Sequence, residues 1–390
     1  MTDARRPIRL LIASDKFKGS LSGPETCAAI ADGFREALGD SVEISIAPIA
    51  DGGEGMARGI TEARGGEWVT ATVADPLGRP VESGFGLITD DVNGQRIGVI
   101  EMAEASGLWR LASDELDPWR ASTFGTGELM RQAIEQHGAT RLLLGIGGSA
   151  TNDGGTGMAL ALGFRFLDAS GETVDDLPAR LNDVVRIVAP ESSLPPVEVA
   201  CDVTNPLLGP NGCTRVYGPQ KGVVESEFER HEARLAHLVT LIGEKGHAAA
   251  IEPGSGAAGG LGFGCLALLD ASLRPGFELV AEVLGLEAAV RDADLVITGE
   301  GKLDSQTLQG KAPAGIAALA RDLGKPVAAL AGIIAEGADA ALSERFDFFA
   351  ALAAEDLSVE ESMQRAAPLL RDTARRHADA IVALAKRAAT

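Results

Sequence analysis

The first part of the chain alternates apolar segments typical of buried strands with segments of helical periodicity. The run IRLLIASD (8–15) is apolar and bounded by polar residues, which predicts a strand buried on both faces. A helix is predicted over 22–38, with Ser22 as its N-terminal cap and Gly39 at its end. A second strand (42–50) and a second helix follow. This order of elements is typical of a parallel sheet.

The middle of the chain shows a different pattern. After Gly65, polar and apolar residues alternate on both sides of the turn sequence PLGR, which predicts a β-hairpin over 67–88. Further strands are predicted at 97–103, 141–146 and 196–203, and helices at 126–137 and 228–246.

The strand–helix pattern returns near the end of the chain. Strands are predicted at 293–301, 325–333 and 346–353, and helices at 313–324 and 359–388. Residues 1–66 and 290–390 together supply enough strands for one doubly wound sheet, whereas neither segment does so alone. We therefore predict an α/β fold of two domains, in which 1–66 plus 290–390 form one domain and 67–289 are inserted as a second. Three sequential domains are the alternative.

Composition narrows the classes of partner. A formal net charge of −21 argues against nucleic acids and anionic membranes, which repel an acidic protein. No window approaches the ~18 unbroken apolar residues of a membrane span, and the N-terminal apolar run is too short for a secretory signal. The four cysteines are scattered, with no CxxC pair, which predicts no disulfide framework or zinc site and suits the reducing cytoplasm.

Polar and glycine residues follow most of the predicted strands. In open α/β sheets, ligands bind beyond the carboxyl ends of the strands, so these residues are candidates for a site. They are Lys16 and Lys18 after the first strand, Asp51, Gly52 and Gly53 after the second, Asp202 after the strand at 196–203, and Glu300, Gly301 and Asp304 around the end of the strand at 293–301. Each group alone could be an ordinary turn or helix cap. Their coincidence at strand ends favours a functional interpretation.

The segment LLLGIGGSATNDGG (142–155) is a strand that opens into a glycine-rich loop. Glycines let backbone N–H groups approach an anion closely, and the N-terminus of a following helix adds partial positive charge. The candidate anion ligands are Gly147, Gly148, Ser149, Thr151, Asn152 and Asp153. The alternative is a glycine-rich crossover that merely packs against its own sheet.

Several common signatures are absent. The sequence has no GxxxxGK[ST] loop and no HRD or DFG motif of a protein kinase. GSGAAG (254–259) matches the letters of a dinucleotide fingerprint, but no predicted strand precedes it. No HExxH motif or Ser/His pairing is visible, which disfavours a zinc peptidase or a hydrolase triad.

The residues by themselves thus indicate an α/β enzyme that binds anions. Phosphoryl transfer requires this inventory, because lysines and backbone donors bind phosphate oxygens, and carboxylates hold Mg²⁺ and the attacking hydroxyl. The inventory does not identify the phosphoryl acceptor.

Seven segments, in order along most of the chain, resemble the bacterial type-1 glycerate kinase family. They are IASDKFKGSLS (12–22), PIADGGEG (48–55), STFGTGEL (122–129), GIGGSATNDGGTGMALALG (145–163), CDVTNPL (201–207), PGSGAAGGLG (253–262) and TGEGKLDSQT (298–307). The resemblance implies an ATP-dependent kinase that phosphorylates D-glycerate at the 2-hydroxyl to give 2-phosphoglycerate. It also implies a flavodoxin-like domain interrupted by a second α/β domain, with the active site in the interdomain cleft.

The resemblance suggests roles for the candidates. Lys16 or Lys18 would hold the substrate carboxylate. Ser149, Thr151 and Asn152 would contact the phosphates of ATP, although the same loop could hold the carboxylate instead. Asp202 and Asp304 would bind Mg²⁺ or accept the hydroxyl proton, and Asp51 is a third such carboxylate.

Other functions stay open at this point. GSGAAG could belong to an NAD(P)-dependent oxidoreductase, and a non-catalytic regulator could bind the same metabolite. The same kinase could give 3-phosphoglycerate. The residues leave a homodimer open as the oligomeric state.

Overall fold

A computed structural model describes residues 6–49, 53, 55–90, 93–304, 307, 312–352 and 357–388. Two of the predicted site residues, Asp51 and Gly52, lie outside the described residues. Within the described ranges, none of the helices combines the length and apolar character needed to cross a membrane.

The strands, in chain order, are β1 (Ile8–Ile12), β2 (Val42–Ile46), β3 (Glu67–Ala74), β4 (Pro80–Thr89), β5 (Arg96–Glu101), β6 (Arg141–Gly145), β7 (Arg165–Leu167), β8 (Arg186–Val188), β9 (Val197–Ala200), β10 (Ser272–Arg274), β11 (Leu295–Leu303), β12 (Val327–Ile334) and β13 (Phe348–Ala351).

The α-helices, in chain order, are α1 (Gly23–Leu38), α2 (Met56–Ala63), α3 (Ala103–Ser106), α4 (Phe124–Glu135), α5 (Thr156–Ala161), α6 (Cys213–Tyr217), α7 (Phe228–Ile242), α8 (Glu244–Ile251), α9 (Ala257–Leu269), α10 (Gly276–Val283), α11 (Leu286–Asp292), α12 (Ala312–Asp322), α13 (Asp339–Ser343), α14 (Val359–Gln364) and α15 (Ala366–Ala388).

The chain divides into two compact units. The first unit comprises Met1–Asp51 and Phe277–Thr390, and the second unit comprises Gly52–Gly276. These boundaries differ from the predicted ones at 66/67 and 289/290, because α2 packs in the second unit and most of α10 and all of α11 in the first.

Contacts of α2 explain the first of these differences. The carboxylate of Glu101, at the end of β5, accepts hydrogen bonds from the backbone N–H groups of Gly55 (2.8 Å) and Ala57 (3.2 Å) at the start of α2. Thr61 of α2 fills the space above Gly86 of β4, where a Cβ atom would lie 1.7 Å from the threonine Oγ1. These contacts link residues distant in sequence, so local periodicity does not reveal them.

The described strands of the first unit form one parallel sheet in the order β2-β1-β11-β12-β13. Numbered within the unit, this order is 2-1-3-4-5, the flavodoxin-like order. Along β1 and the residue that follows it, successive side chains point to opposite faces of the sheet. Leu10 and Ile12 pack with α1 and α15, whereas Leu11 and Ala13 pack with α11 and α12. The predicted α/β class and flavodoxin-like sheet are confirmed.

The main sheet of the second unit has the order β3-β4-β5-β6-β9-β10. β3, β4 and β5 pair antiparallel, and the predicted hairpin is the β3–β4 pair. β5, β6, β9 and β10 are parallel. The loops after β5, β6, β9 and β10 therefore leave the same edge of this sheet.

The helix predicted at the end of the chain is interrupted. A single helix was expected over 359–388, but the structure has two, separated at Arg365. Pro368 lies in the first turn of α15, where it has no N–H to donate and its ring would clash with the carbonyl of Gln364 in a continuous helix.

The cap predicted at Ser22 is confirmed and can be tested. Its hydroxyl accepts from Glu25 N (3.4 Å), and its own N–H donates to the Glu25 carboxylate (2.8 Å). We expect Ser22→Ala to lower the free energy of unfolding by ~1 kcal/mol, measured by urea denaturation. Ser358 forms the same capping box on the short helix α14, so Ser358→Ala is the matched control. Ser358→Ala should cost less, because α14 has no buried residue whereas α1 packs in the core. Equal losses in both variants would contradict this expectation.

Candidate active site

The carboxyl ends of β1 and β11 lie side by side in the first unit. The backbone N–H of Asp15 donates to Gly299 O (2.9 Å), as does the buried hydroxyl of Ser14 (2.9 Å). A Cβ atom on Gly301 would lie 3.3 Å from the backbone nitrogen of Lys18. β1 and β11 flank the topological switch point of this sheet order, where ligands of such folds bind. The structure thus brings the lysine loop (residues 14–18) next to the predicted residues of β11.

A hydrogen-bond network holds the carboxylates at the end of β11. Thr307 Oγ1 donates to the buried carboxylate of Glu300 and accepts from Asp304 N (3.0 Å). Thr307 N donates to Asp304 Oδ1 (3.2 Å), and the exposed ammonium of Lys302 lies 3.4 Å from Asp304 Oδ2. Asp304 is therefore oriented at the switch point rather than left on a loose turn.

The glycine-rich loop after β6 begins at the edge of the second unit's sheet. Gly148 is exposed and Gly147 is half-buried. A Cβ atom on Gly147 would lie 3.3 Å from Gly53 Cα, so the two glycines pack closely. Gly53 was predicted in the same domain as the lysine loop, but it lies beside the glycine-rich loop in the second unit.

Three residues of the loop have side chains that face the interior. Thr151, Asn152 and Asp153 are fully buried. Asn152 Nδ2 donates to Thr214 Oγ1 (3.1 Å), whereas Thr151 Oγ1 has no hydrogen-bond partner among the described residues. These side chains were predicted to contact the nucleotide. In this structure they shape the loop from beneath.

Asp153 is the most connected of these side chains. Its Oδ2 accepts from the N–H (2.8 Å) and hydroxyl (2.7 Å) of Thr123 and from Gly157 N (3.2 Å), and its Oδ1 accepts from Gly155 N (3.0 Å). One carboxylate thus ties the loop to the starts of α4 and α5. Gly147 and Gly148 are the residues of the loop that reach its surface.

Two buried cations beneath this loop were missed by sequence analysis. Lys221 Nζ donates to Ser149 Oγ (2.7 Å) and Thr151 O (2.7 Å). Arg234 Nη2 donates to Asn152 O (2.9 Å). Arg234 could have been found, because it follows His231 by three residues on the buried face of α7. Nothing local distinguishes Lys221, in the sequence GPQKG, from an exposed lysine.

Asp202 follows β9, which pairs with β6, so it leaves the same sheet edge as the glycine-rich loop. It is exposed, and its Oδ1 accepts from Gly276 N (2.8 Å). Among the described residues, no group of three or more His, Cys, Asp or Glu side chains could hold a metal ion. Mg²⁺ in kinases is usually bound through only one or two carboxylates plus substrate phosphates.

The GSGAAG segment lacks the context of a dinucleotide fingerprint. Helix α8, rather than a strand, precedes it, and Ala258 and Gly259 have positive φ angles of 53° and 65°. Gly259 O accepts from Gly154 N (3.0 Å), and a Cβ atom on Gly259 would lie 1.9 Å from Thr151 O. This segment therefore packs under the glycine-rich loop as a support, and the glycine at 259 is required by both space and backbone conformation.

A flavodoxin-ordered sheet with lysines and carboxylates at its switch point is typical of an α/β enzyme that acts on a small anionic substrate. A sequence model of the glycerate kinase family matches residues 10–382. The chain therefore belongs to the glycerate kinase family and is an enzyme of the kinase class, as the seven motifs predicted.

Individual relatives agree with this assignment. The chain is 42% identical over 371 residues to a glycerate kinase of Halalkalibacterium halodurans, covering 94% of this chain and 96% of the relative. It is 42% identical over 336 residues to the glycerate 2-kinase of Escherichia coli, covering 84% and 86%. A crystal structure of a Salmonella typhimurium LT2 protein assigned as glycerate kinase 2 has a TM-score of 0.85 and 40% identity, covering 97% of this chain and 99% of that one.

Proposed function

We propose that this enzyme transfers the γ-phosphoryl group of ATP to the 2-hydroxyl of D-glycerate, giving 2-phosphoglycerate and ADP. Membership of the glycerate kinase family supports the substrate and the reaction class. The name of the Escherichia coli relative, glycerate 2-kinase, supports the 2-hydroxyl as acceptor. The observation that carries the proposal is the adjacent placement of the lysine loop and the oriented carboxylates at the β1/β11 switch point.

The switch-point residues are proposed to bind D-glycerate. Lys16 or Lys18 holds its carboxylate, and Gly301 packs closely against the backbone of the lysine loop on the same edge. Asp304 accepts the proton of the attacking hydroxyl, because it is an oriented and partly exposed carboxylate on this edge. Glu300, which is buried and bonded to Thr307, supports that orientation.

The glycine-rich loop is proposed to bind the phosphates of ATP through the N–H groups of Gly147 and Gly148 and the hydroxyl of Ser149. Gly53 packs against this loop, and Asp51 and Gly52 stay candidates from the sequence alone. The carboxylate of Asp202 is exposed and offers the hard oxygen ligands that Mg²⁺ prefers. Asp304 is the other candidate ligand of Mg²⁺. Mg²⁺, when bound, neutralises charge on the phosphate oxygens.

Positioning and charge neutralisation carry most of the catalysis in phosphoryl transfer. The protein's part is therefore to hold the glycerate carboxylate, accept one proton at Asp304 and supply donors to the phosphates. Lysines and backbone N–H groups supply local positive charge for these anions, although the formal net charge of the chain is −21.

The test incubates the purified enzyme with ATP, Mg²⁺ and D-glycerate and resolves the products by phosphorus NMR. We expect the 2-phosphoglycerate signal to grow with ADP, and L-glycerate serves as the control acceptor. Formation of 3-phosphoglycerate would correct the acceptor hydroxyl. Absence of both phosphoglycerates would refute the proposed function.

A further inference from the structure

Lys221 is a buried lysine whose described partners are all uncharged. It is 2% exposed, and its ammonium donates only to the hydroxyl of Ser149 and the carbonyl of Thr151. No carboxylate among the described residues forms an ion pair with it. Buried charges in proteins are normally paired, because their desolvation is costly. An ammonium buried without a direct ion pair beneath a surface loop points to an anion that binds to that loop.

Lys221 shares its nearest buried carboxylate with a second buried cation. Arg234 is also fully buried, and its guanidinium donates to carbonyl oxygens that include Asn152 O. The buried carboxylate near both cations is Asp153, whose oxygens are bonded to backbone N–H groups and the Thr123 hydroxyl. The half-buried Asp117 adds negative charge near Arg234, whereas Asp153 is the carboxylate that acts on Lys221.

The neighbouring histidine and cysteine add no charge near neutral pH. Burial lowers the pKa of His231 to about 3, so its ring is neutral. Burial raises the pKa of the Cys213 thiol to about 11. Burial lowers the pKa of Lys221 to about 8, opposed by Cys213 and Asp153, and that of Arg234 to about 10. Both cations therefore carry their charge at pH 7.

The bond from Lys221 also sets the direction of the Ser149 hydroxyl. Because Ser149 Oγ accepts a hydrogen bond from the ammonium, its own hydrogen is directed elsewhere and can be donated. Ser149 directly follows the exposed Gly148. Ser149 is itself buried at 7% exposure, so Lys221 makes it a donor just beneath the exposed part of the loop.

We propose that Lys221 is a positioning residue of the kinase reaction, which turns Ser149 into a donor for the phosphates of ATP and supplies the buried positive charge that those phosphates neutralise. The proposal rests on the proposed function, in which the anion at this loop belongs to ATP.

The experiment compares Lys221→Met with the wild-type enzyme by calorimetric titration of ATP, ADP and adenosine in the absence of glycerate. Charge-assisted hydrogen bonds correspond to roughly 10–100-fold in affinity. We expect the dissociation constant of ATP to rise by about this factor, that of ADP to rise less, and that of adenosine to stay unchanged. Lys221→Arg, which keeps the charge, should recover part of the loss, and Lys221→Gln should not.

Lys325 provides the matched control. Its ammonium also donates to two neutral oxygens, Arg291 O (2.9 Å) and Ala293 O (2.7 Å), but in the first unit. Lys325→Met should leave the affinity for ATP unchanged.

A pH profile separates charge supply from a purely structural role. In the wild-type enzyme, ATP affinity should fall as the pH rises through about 8, because Lys221 loses its proton there. His231, Cys213 and Arg234 change little between pH 7.5 and pH 9. Lys221→Met should show no such fall. The double variant with Ser149→Ala should lose less than the product of the two single losses, since the residues act together.

The outcomes distinguish this proposal from the proposed function. A wild-type enzyme that neither binds ATP nor phosphorylates glycerate would overturn both. An active enzyme in which Lys221→Met binds ATP normally, or loses adenosine binding equally, would overturn the role of Lys221 alone. A variant with a raised KM for glycerate and unchanged ATP affinity would also overturn it, because the anion at the loop would then be the substrate carboxylate.

Discussion

Asp304→Asn is expected to lower kcat ~10²–10⁴-fold, the usual effect of removing a general base. The amide keeps the size of the side chain and can still accept from Thr307 N through its oxygen, so the fold should be retained. The lost ion pair with Lys302 is exposed and contributes little to stability. Steady-state kinetics with D-glycerate as the varied substrate measure the change, and titration with ATP should show unchanged affinity.

Asp202→Asn is the comparison for this variant. If Asp202 holds Mg²⁺, its amide variant should need a higher Mg²⁺ concentration for half-maximal rate and recover activity when Mg²⁺ is raised. Asp304→Asn should not recover in this way. A folded Asp304→Asn enzyme with near-normal kcat would remove Asp304 from the role of base, and the reverse pattern of Mg²⁺ dependence would exchange the two assignments.

Asp153→Asn should lower the free energy of unfolding by ~2–4 kcal/mol, the range for disrupting a buried hydrogen-bond network. An amide nitrogen in place of either oxygen faces N–H donors, from Gly155 on one side or from Thr123 and Gly157 on the other. The change also leaves Lys221 and Arg234 without a nearby buried carboxylate. Urea denaturation measures the loss through a lower midpoint at an unchanged slope.

Asp168→Asn is the matched control for this buried carboxylate. Asp168 also accepts several hydrogen bonds, but it lies in an exposed turn. Its donors are Ser170 N (2.8 Å), the Ser170 hydroxyl (2.6 Å) and Glu172 N (3.1 Å). Asparagine suits such turns, so the loss should stay below ~1 kcal/mol. Equal destabilisation by both variants would show that burial of Asp153 is not the cause. Wild-type ATP affinity in a folded Asp153→Asn enzyme would show that the network does not shape the loop.

The sequence by itself determined the local elements and the chemical inventory. Apolar runs such as 8–15 predicted the strands of the first unit, and Ser22 predicted the start of α1, because burial and capping leave local patterns. The seven motifs identified the glycerate kinase family, which the family match confirmed. Lys16, Glu300 and Asp304 were candidates because they follow or end predicted strands, and their adjacent strands meet at the switch point.

The tertiary structure alone decided which of the candidate side chains are buried beneath the loop and which residues reach its surface. Thr151, Asn152 and Asp153 are polar and lie in a glycine-rich motif, yet they are fully buried. Lys221 reaches Ser149 across 72 residues of sequence. Both facts depend on which distant segments pack together. Periodicity and motif spacing describe only neighbours along the chain, so the buried charge of Lys221 beneath the loop is visible only in the folded structure.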